Sequence, residues 1–279
     1  MAKSEFERLN LGPQKVPSLQ DRRKQNLKVA ARSCSIAKQT IRPLREEASK
    51  NGVVDFKKVI RDRMFFAPHS ISFVRPLATS LFGTRVGENL DKLQKMINGK
   101  EILVMGGGKS LSDITSSSDF SPKRLVNVDP FLNLEDLDKR TLGKDYYKSL
   151  PFNPTKKNFQ ADLKTDGYDT FDEIWATFSV PYYSRTRVEV ETLFENGYRL
   201  LSPDGTFRVF PLGFIVEKMD REKIKERLAG LQAGLASALD VLAVKNDVKL
   251  STMRDYAYSD VGNFSALIIH KTAKTPGFE

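Results

Sequence analysis

The 279-residue sequence has few residues of the types that cross-link a chain or bind a metal. Its one cysteine, Cys34, excludes an internal disulfide and a zinc site built from several cysteines. Its two histidines, His69 and His270, argue against a metal site built from several histidines. No apolar run reaches the roughly 18 residues needed to span a bilayer, and the N-terminus lacks the apolar segment of a secretory signal. We therefore expect a metal-free, cytoplasmic protein without membrane contacts.

The composition is that of a folded protein, but its charge is unevenly placed. Hydrophobic residues make up 40% and charged residues 29%, which is typical of a globular protein with one sizeable core. Residues 1–63 contain 16 Lys and Arg against 7 Asp and Glu, whereas the remaining residues contain 29 against 28. A concentrated basic segment attracts polyanions, and RNA is the most natural candidate. The alternative is an ordinary solvated helix face.

Hydrophobic patterning predicts two regions. Residues 1–99 are expected to form a basic helical N-terminal region that acts as an arm or lid, with a helix break near Pro43. Its predicted helices cover residues 19–41, 55–64 and 85–98. Residues 100–279 alternate short apolar runs with polar and helical stretches, which predicts an α/β domain with a largely parallel sheet and helices on both faces.

The apolar runs of the second region have the length of buried strands. The first five are E-I-L-V-M (101–105), R-L-V-N-V (124–128), N-F-Q-A (158–161), D-E-I-W-A-T-F (172–178) and T-F-R-V-F (206–210). A long amphipathic helix is predicted over residues 220–244, and two further strands over 248–258 and 265–270.

Three glycines, Gly106, Gly107 and Gly108, directly follow the first predicted strand. Glycine lets the backbone approach a ligand closely, and amides at the start of a following helix favour an anionic group. A phosphate-binding P-loop would require glycine in place of Leu103. A dinucleotide-binding fingerprint would require glycine in place of Leu111, which counts against an NAD-dependent oxidoreductase.

The turn instead resembles the strand–glycine loop of the class I S-adenosylmethionine-dependent methyltransferases. Gly106 and Gly108 occupy the first two glycine positions of the family's G-x-G-x-G pattern. Ser110 replaces the third glycine, and Val104 occupies the usual place of an acid. The next segments follow in the family's order, so the resemblance extends over residues 100–279. It implies a mostly parallel, seven-stranded, Rossmann-like sheet that ends in an antiparallel hairpin.

The resemblance also implies a set of cofactor-binding residues. Asp129 ends the second predicted strand, where the family has an acid that accepts the ribose hydroxyls; the alternative is a turn-forming aspartate before Pro130. Asp162 follows N-F-Q-A, at the place of an acid that contacts the adenine amino group. The implied residues for S-adenosylmethionine are Gly106, Gly107, Gly108, Ser110, Asp129 and Asp162.

The acceptor site is expected just past the fourth predicted strand, at the edge of the sheet where ligands bind in open α/β folds. The candidate acceptor-site residues there are Ser179, Pro181, Tyr182 and Tyr183. No catalytic residue is identified. The related aminopropyltransferases have an acid after this strand, whereas T-F-S-V-P has none.

The predicted function is methyl transfer from S-adenosylmethionine, with RNA or another polyanion engaged by residues 1–63 as the acceptor. One alternative is a methyltransferase for a protein or a small molecule, in which the basic region is a lid. A second alternative is a degenerate methyltransferase fold that serves as a binding or scaffold subunit, since Ser110 and Val104 depart from the family pattern.

Overall fold

Seven strands form one sheet, and five helices are seen among the residues that the computed structural model describes. The described residues are 17–50, 81–82, 90–107, 118–130, 144–177, 180–214, 220–254 and 265–273, with side chains of the first segment described to residue 38. The helices are α1 (Leu19–Lys50), α2 (Leu90–Ile97), α3 (Phe159–Thr165), α4 (Arg187–Arg199) and α5 (Arg221–Ala243). The strands are β1 (Glu101–Met105), β2 (Arg124–Val128), β3 (Tyr147–Leu150), β4 (Phe171–Thr177), β5 (Leu201–Phe210), β6 (Val248–Arg254) and β7 (Ser265–Lys271).

The strand order in the sheet is β3-β2-β1-β4-β5-β7-β6. Strands β1 to β5 pair in parallel, whereas β7 pairs antiparallel with both β5 and β6. The sheet is therefore mixed, which corrects the expectation of a mostly parallel sheet. Only residues 255–264 separate β6 from β7, which is too short for the crossover that a parallel pair needs. The number of strands and the terminal antiparallel pair agree with what the methyltransferase resemblance implies.

Both faces of the central strands are buried, as expected for strands between two layers of helices. On one face, Ile102 and Val104 of β1 share a hydrophobic cluster with Leu93 and Ile97 of α2. On the other face, the sheet packs against residues of the other four helices. That larger cluster includes Leu103 and Met105 of β1, Ala30 and Ala37 of α1, Phe159 and Leu163 of α3, Leu193 of α4, and Leu231 and Leu235 of α5.

Side-chain caps set where the later helices begin. The Asp220 carboxylate accepts a hydrogen bond from the Lys223 amide at the start of α5, at 3.0 Å. The Thr186 hydroxyl accepts one from the Glu189 amide at the start of α4, at 3.2 Å. Both satisfy amides that lack a partner inside the helix.

Helix α1 lies against α5 and the outer strand β6. The buried Asn26 side chain pairs with the β6 backbone: Nδ2 donates to the Val248 carbonyl at 2.8 Å, and Oδ1 accepts from the Leu250 amide at 2.9 Å. Arg22 and Arg23 donate to Asn246 just before that strand. The helix therefore satisfies backbone groups that an edge strand would otherwise leave open.

The sequence predicted three helices and a domain division in the N-terminal region. Helix α1 continues past Pro43 to Lys50, so the predicted end near Ile41 was wrong: a proline removes one backbone hydrogen bond and can bend a helix without ending it. The helix predicted over 55–64 lies outside the described residues, as do residues 85–89 of the third predicted helix. The division at residue 99 stays a prediction.

The third strand was predicted in the wrong place. N-F-Q-A begins helix α3, in which Phe159 and Leu163 are buried at a helical spacing of four residues. The third strand is β3, the short segment Tyr147–Leu150, whose middle residues are not buried. The predicted turn S-P-D-G lies within β5, where the pairing with β4 shifts and Asp204 has a positive φ of 62°.

Within the part of the chain that the structure describes, no helix combines the length and the apolar character needed to cross a membrane.

Candidate functional site

The carboxyl ends of β1, β2 and β3 lie side by side. Met105 pairs with Val128, and Val128 pairs with Leu150. The backbone continues this pairing by one residue: the Gly106 amide donates to the Val128 carbonyl at 2.7 Å, and the Asp129 amide donates to the Leu150 carbonyl at 3.1 Å. The glycine turn and Asp129 are therefore neighbours at one edge of the sheet, on strands roughly 4.8 Å apart.

The glycine turn leaves the strand in a conformation that favours glycine. Gly106 has a φ of 72°, in the left-handed region that residues with a Cβ seldom adopt. The Gly107 amide donates to Oδ1 of Asn127 at 3.2 Å. The Gly106 and Gly107 amides are thus engaged within the protein, so amides for an anionic ligand group would come from later residues. Gly108 and Ser110 lie outside the described residues.

Asp129 is a buried carboxylate, 2% exposed, at the end of β2. The charge of Asp129 influences the pKa of the Tyr147 phenol on the neighbouring strand. Burial is the main cause that raises the pKa of Tyr147 above its usual value, and the negative charge of Asp129 adds to the rise. Hydrogen bonds with the Asn127 and Ser149 side chains act against it. Asp129, Asn127 and Tyr147 therefore form one polar group at this edge.

Asp162 does not follow a strand, because the segment before it is helical. It lies in the first turn of α3 and accepts a hydrogen bond from Nδ2 of Asn158 at 2.8 Å. The residues that directly follow β3 belong instead to the loop 151–158. Nδ2 of the buried Asn196 fixes that loop by donating to the Pro154 and Lys156 carbonyls, at 2.9 Å each.

The acceptor-site candidates after β4 differ in their exposure. Pro181 is buried and Tyr182 is 2% exposed, whereas Tyr183 is half-buried. The two tyrosine rings meet edge to face at 5.1 Å. Ser179 lies outside the described residues. Tyr183 is therefore more accessible than Tyr182 for contact with an acceptor.

Sequence reasoning missed three polar residues around this edge: Asn127, Tyr147 and Asn196. For Asn127 the available signal was an asparagine among the apolar residues of L-V-N-V, since a buried amide needs hydrogen-bond partners. Among the described residues, no group of three or more His, Cys, Asp or Glu side chains could hold a metal ion.

No protein-family model and no curated protein sequence matches this chain. Several solved structures are similar to it. An O-methyltransferase from Bacillus cereus in complex with SAH is 12% identical, with a TM-score of 0.45 over 81% of this chain and 96% of that one. The N-methyltransferase NodS from Bradyrhizobium japonicum WM9 is 11% identical, with a TM-score of 0.42 over 78% and 99%. A possible exported protein from Bordetella parapertussis is 13% identical, with a TM-score of 0.44 over 94% and 100%.

The functional assignment therefore depends on the residues of this chain. Its own topology provides the fold: a seven-stranded sheet with a terminal antiparallel pair, and a glycine turn and an acid at the ends of adjacent strands. The chain has a class I methyltransferase fold.

Proposed function

We propose that this protein binds S-adenosylmethionine at the carboxyl ends of β1 and β2 and transfers its methyl group to an acceptor. The observation that supports this most is the placement of the Gly106–Gly107 turn directly beside the buried carboxylate of Asp129. A ligand with an amino-acid end and a ribose end needs these two features on neighbouring strands.

The described residues suit the two ends of such a ligand. A carboxylate at the end of β2 is suited to accept hydrogen bonds from two ribose hydroxyls. The absence of a Cβ at Gly106 leaves the backbone open to close approach by the amino-acid end. S-adenosylmethionine supplies a methyl group on a sulfonium, so the protein's task is mainly to orient the acceptor and exclude water. The half-buried Tyr183 is our candidate for contact with the acceptor.

Binding of S-adenosylhomocysteine to the full chain, measured by calorimetry, tests the proposal. We expect the wild-type protein to bind it, and the variant Asp129→Asn to bind at least roughly tenfold more weakly, because a hydrogen bond to a charged group is lost. The control Asp169→Asn changes an exposed acid just before β4 and should bind like the wild type.

NAD serves as the ligand control. Wild-type protein that binds NAD and not S-adenosylhomocysteine would overturn the proposal, as would binding that is unaffected by Asp129→Asn. Binding without transfer of a labelled methyl group to RNA, protein or small-molecule acceptors would favour the binding-subunit alternative.

We further propose that the exposed face of α1 binds RNA. Lys24, Lys28 and Arg32 recur every four residues and are exposed, so they form one stripe about 12 Å long. No ion pair involves them within the described part of the chain. Three cations in a row on an exposed helix face suit a polyanion, whose binding releases counterions. Helix α1 packs against β6, which lies four strands from β1, roughly 19 Å away. An acceptor that contacts both α1 and the cofactor site at β1 must span this distance, which favours a long acceptor over a small one.

Salt titration of single-stranded RNA binding tests this surface. Replacing Lys24, Lys28 and Arg32 together by Gln should weaken binding and reduce the slope of log affinity against log salt by about 2. The control replaces Lys223, Lys225 and Arg199, three cations that already form ion pairs with neighbouring acids. Equal losses in the two triple variants would show that only net charge matters and would reject a specific α1 surface.

A further inference from the structure

One side chain, Asn127, connects the three strands whose ends form the candidate site. Its Oδ1 accepts a hydrogen bond from the Gly107 amide, which follows β1, at 3.2 Å. Its Nδ2 donates to the hydroxyl of Tyr147, at the start of β3, at 3.4 Å. Asn127 itself belongs to β2 and is fully buried, with 0% exposure. The glycine turn therefore depends on a contact from the neighbouring strand.

An amide at this position needs an explanation, because burying a polar group is unfavourable unless it is hydrogen-bonded. The adjacent residues Leu125, Val126 and Val128 are all apolar and buried. An apolar side chain at position 127 would suit the core equally well, but it would leave the Gly107 amide without this acceptor. We therefore attribute the asparagine at position 127 to its hydrogen bond with the glycine turn and not to packing in the core.

The two contacts also fix the orientation of the Asn127 amide. The Gly107 backbone N–H is only a donor, so the oxygen of the side-chain amide must face it. Nδ2 then faces Tyr147, whose hydroxyl can accept. Tyr147 in turn lies close enough to Asp129 for that carboxylate to influence its phenol. The connected residues Gly107, Asn127, Tyr147 and Asp129 thus span both ends of the candidate site.

We propose that Asn127 and Tyr147 are positioning residues for the S-adenosylmethionine site: Asn127 holds the glycine turn, and Tyr147 holds Asn127 in the required orientation. This inference rests on the proposed function. It predicts that loss of Asn127 affects mainly the ligand end that the glycine turn contacts, which is the amino-acid end. The ribose end, at Asp129, should be affected less.

The test compares two probes, S-adenosylhomocysteine and adenosine, which share the ribose and differ in the amino-acid end. For Asn127→Leu we expect affinity for S-adenosylhomocysteine to fall by roughly tenfold or more, because the Gly107 amide loses its hydrogen bond to Oδ1 of Asn127, and affinity for adenosine to change by less than about threefold. Tyr147→Phe keeps Asn127 and should give the same pattern with a smaller loss. It also provides the test if Asn127→Leu does not fold.

The matched control is Asn26→Leu, which removes another buried asparagine that bonds to backbone, at the opposite edge of the sheet. It should lower the melting temperature and leave both affinities of the folded protein unchanged. Equal weakening of both probes in the Asn127 and Tyr147 variants, or unchanged affinity for S-adenosylhomocysteine, would overturn the positioning role. Wild-type protein that binds neither probe would instead reject the proposed function itself.

Discussion

The guanidinium of Arg208 donates two hydrogen bonds to the carboxylate of Glu173 inside the protein, at 2.9 and 3.2 Å. Nε1 of Trp175 donates a third to the same carboxylate, at 3.1 Å. Arg208 also donates to the Leu81 carbonyl at 3.2 Å and lies over the Phe82 ring, 4.7 Å from its centre. The ion pair therefore fastens residues 81 and 82 to the β4–β5 face of the sheet.

Removing one member of this pair should be strongly destabilising. Arg208→Met leaves Glu173 buried without its cation, and we expect a loss of about 3–5 kcal/mol in the free energy of unfolding, measured with urea. The control Lys123→Met breaks an ion pair in which Lys123 is 67% exposed, and it should cost no more than about 1 kcal/mol. Similar losses of free energy of unfolding in the two variants would show that burial does not make the Arg208–Glu173 ion pair more important than an exposed one.

The contact between Asn26 and β6 predicts a second effect on stability. Asn26→Ala leaves the Leu250 amide and the Val248 carbonyl without their side-chain partner, at an expected cost of about 2 kcal/mol or more. Hydrogen exchange at the Leu250 amide should accelerate. Gln25→Ala alters the exposed neighbour on the same helix and should leave both the stability and that exchange rate nearly unchanged.

Two glycines of α5 should respond to alanine in opposite directions. A Cβ at Gly234 would lie 2.7 Å from the carbonyl oxygen of Arg187 in α4, whereas one at Gly230 would have no atom within 4 Å. We expect Gly234→Ala to destabilise by about 1–3 kcal/mol, since the two helices must separate. Gly230→Ala should stabilise by about 0.5–1 kcal/mol, because alanine favours the helix. Thermal melts of both variants decide this, and stabilisation by Gly234→Ala would contradict the close approach.

Tyr198 predicts a dependence of stability on alkaline pH. Its hydroxyl donates to the Asp247 carboxylate, with oxygen distances of 2.8 and 3.0 Å. Burial, together with this hydrogen bond and the charge of Asp247, raises the pKa of Tyr198 to about 12. Because the unfolded tyrosine ionises near about pH 10, the folded state keeps the proton longer. The stabilisation is complete below that pH and is lost as the pH rises towards 12.

The variant Tyr198→Phe lacks this ionisation. Between about pH 10 and 12, the free energy of unfolding of the wild type should therefore fall more steeply than that of Tyr198→Phe. Urea titrations of both proteins across this range measure the difference. Parallel curves would show that Tyr198 ionises alike in the folded and unfolded chains.

The sequence alone was sufficient to predict the strands that are buried on both faces. The runs over residues 101–105 and 124–128 correspond to β1 and β2, since central strands are apolar on both faces. Parallel neighbours end at the same edge, so the proximity of Gly106 and Asp129 also followed from sequence. Their roles in cofactor binding stay predictions.

Other features depend on contacts that a pattern does not contain. Strand β3 was missed because Y-K-S-L is short and only its ends are buried, whereas N-F-Q-A, which was predicted to be the third strand, begins a helix. The loop fixed by Asn196 depends on residues about 40 positions apart. Composition indicated the charge of α1 but not its position against β6.

That position has a consequence for any attempt to study the basic region by deleting it. A chain cut near Arg63 would lose α1 and with it Asn26, so β6 would present bare N–H and C=O groups to other molecules. Exposed strands of this kind recruit strands from other chains, and the truncated protein should aggregate. Loss of RNA binding in such a fragment could then result from aggregation and not from the missing cations. Substitution of surface cations in the intact chain avoids this problem.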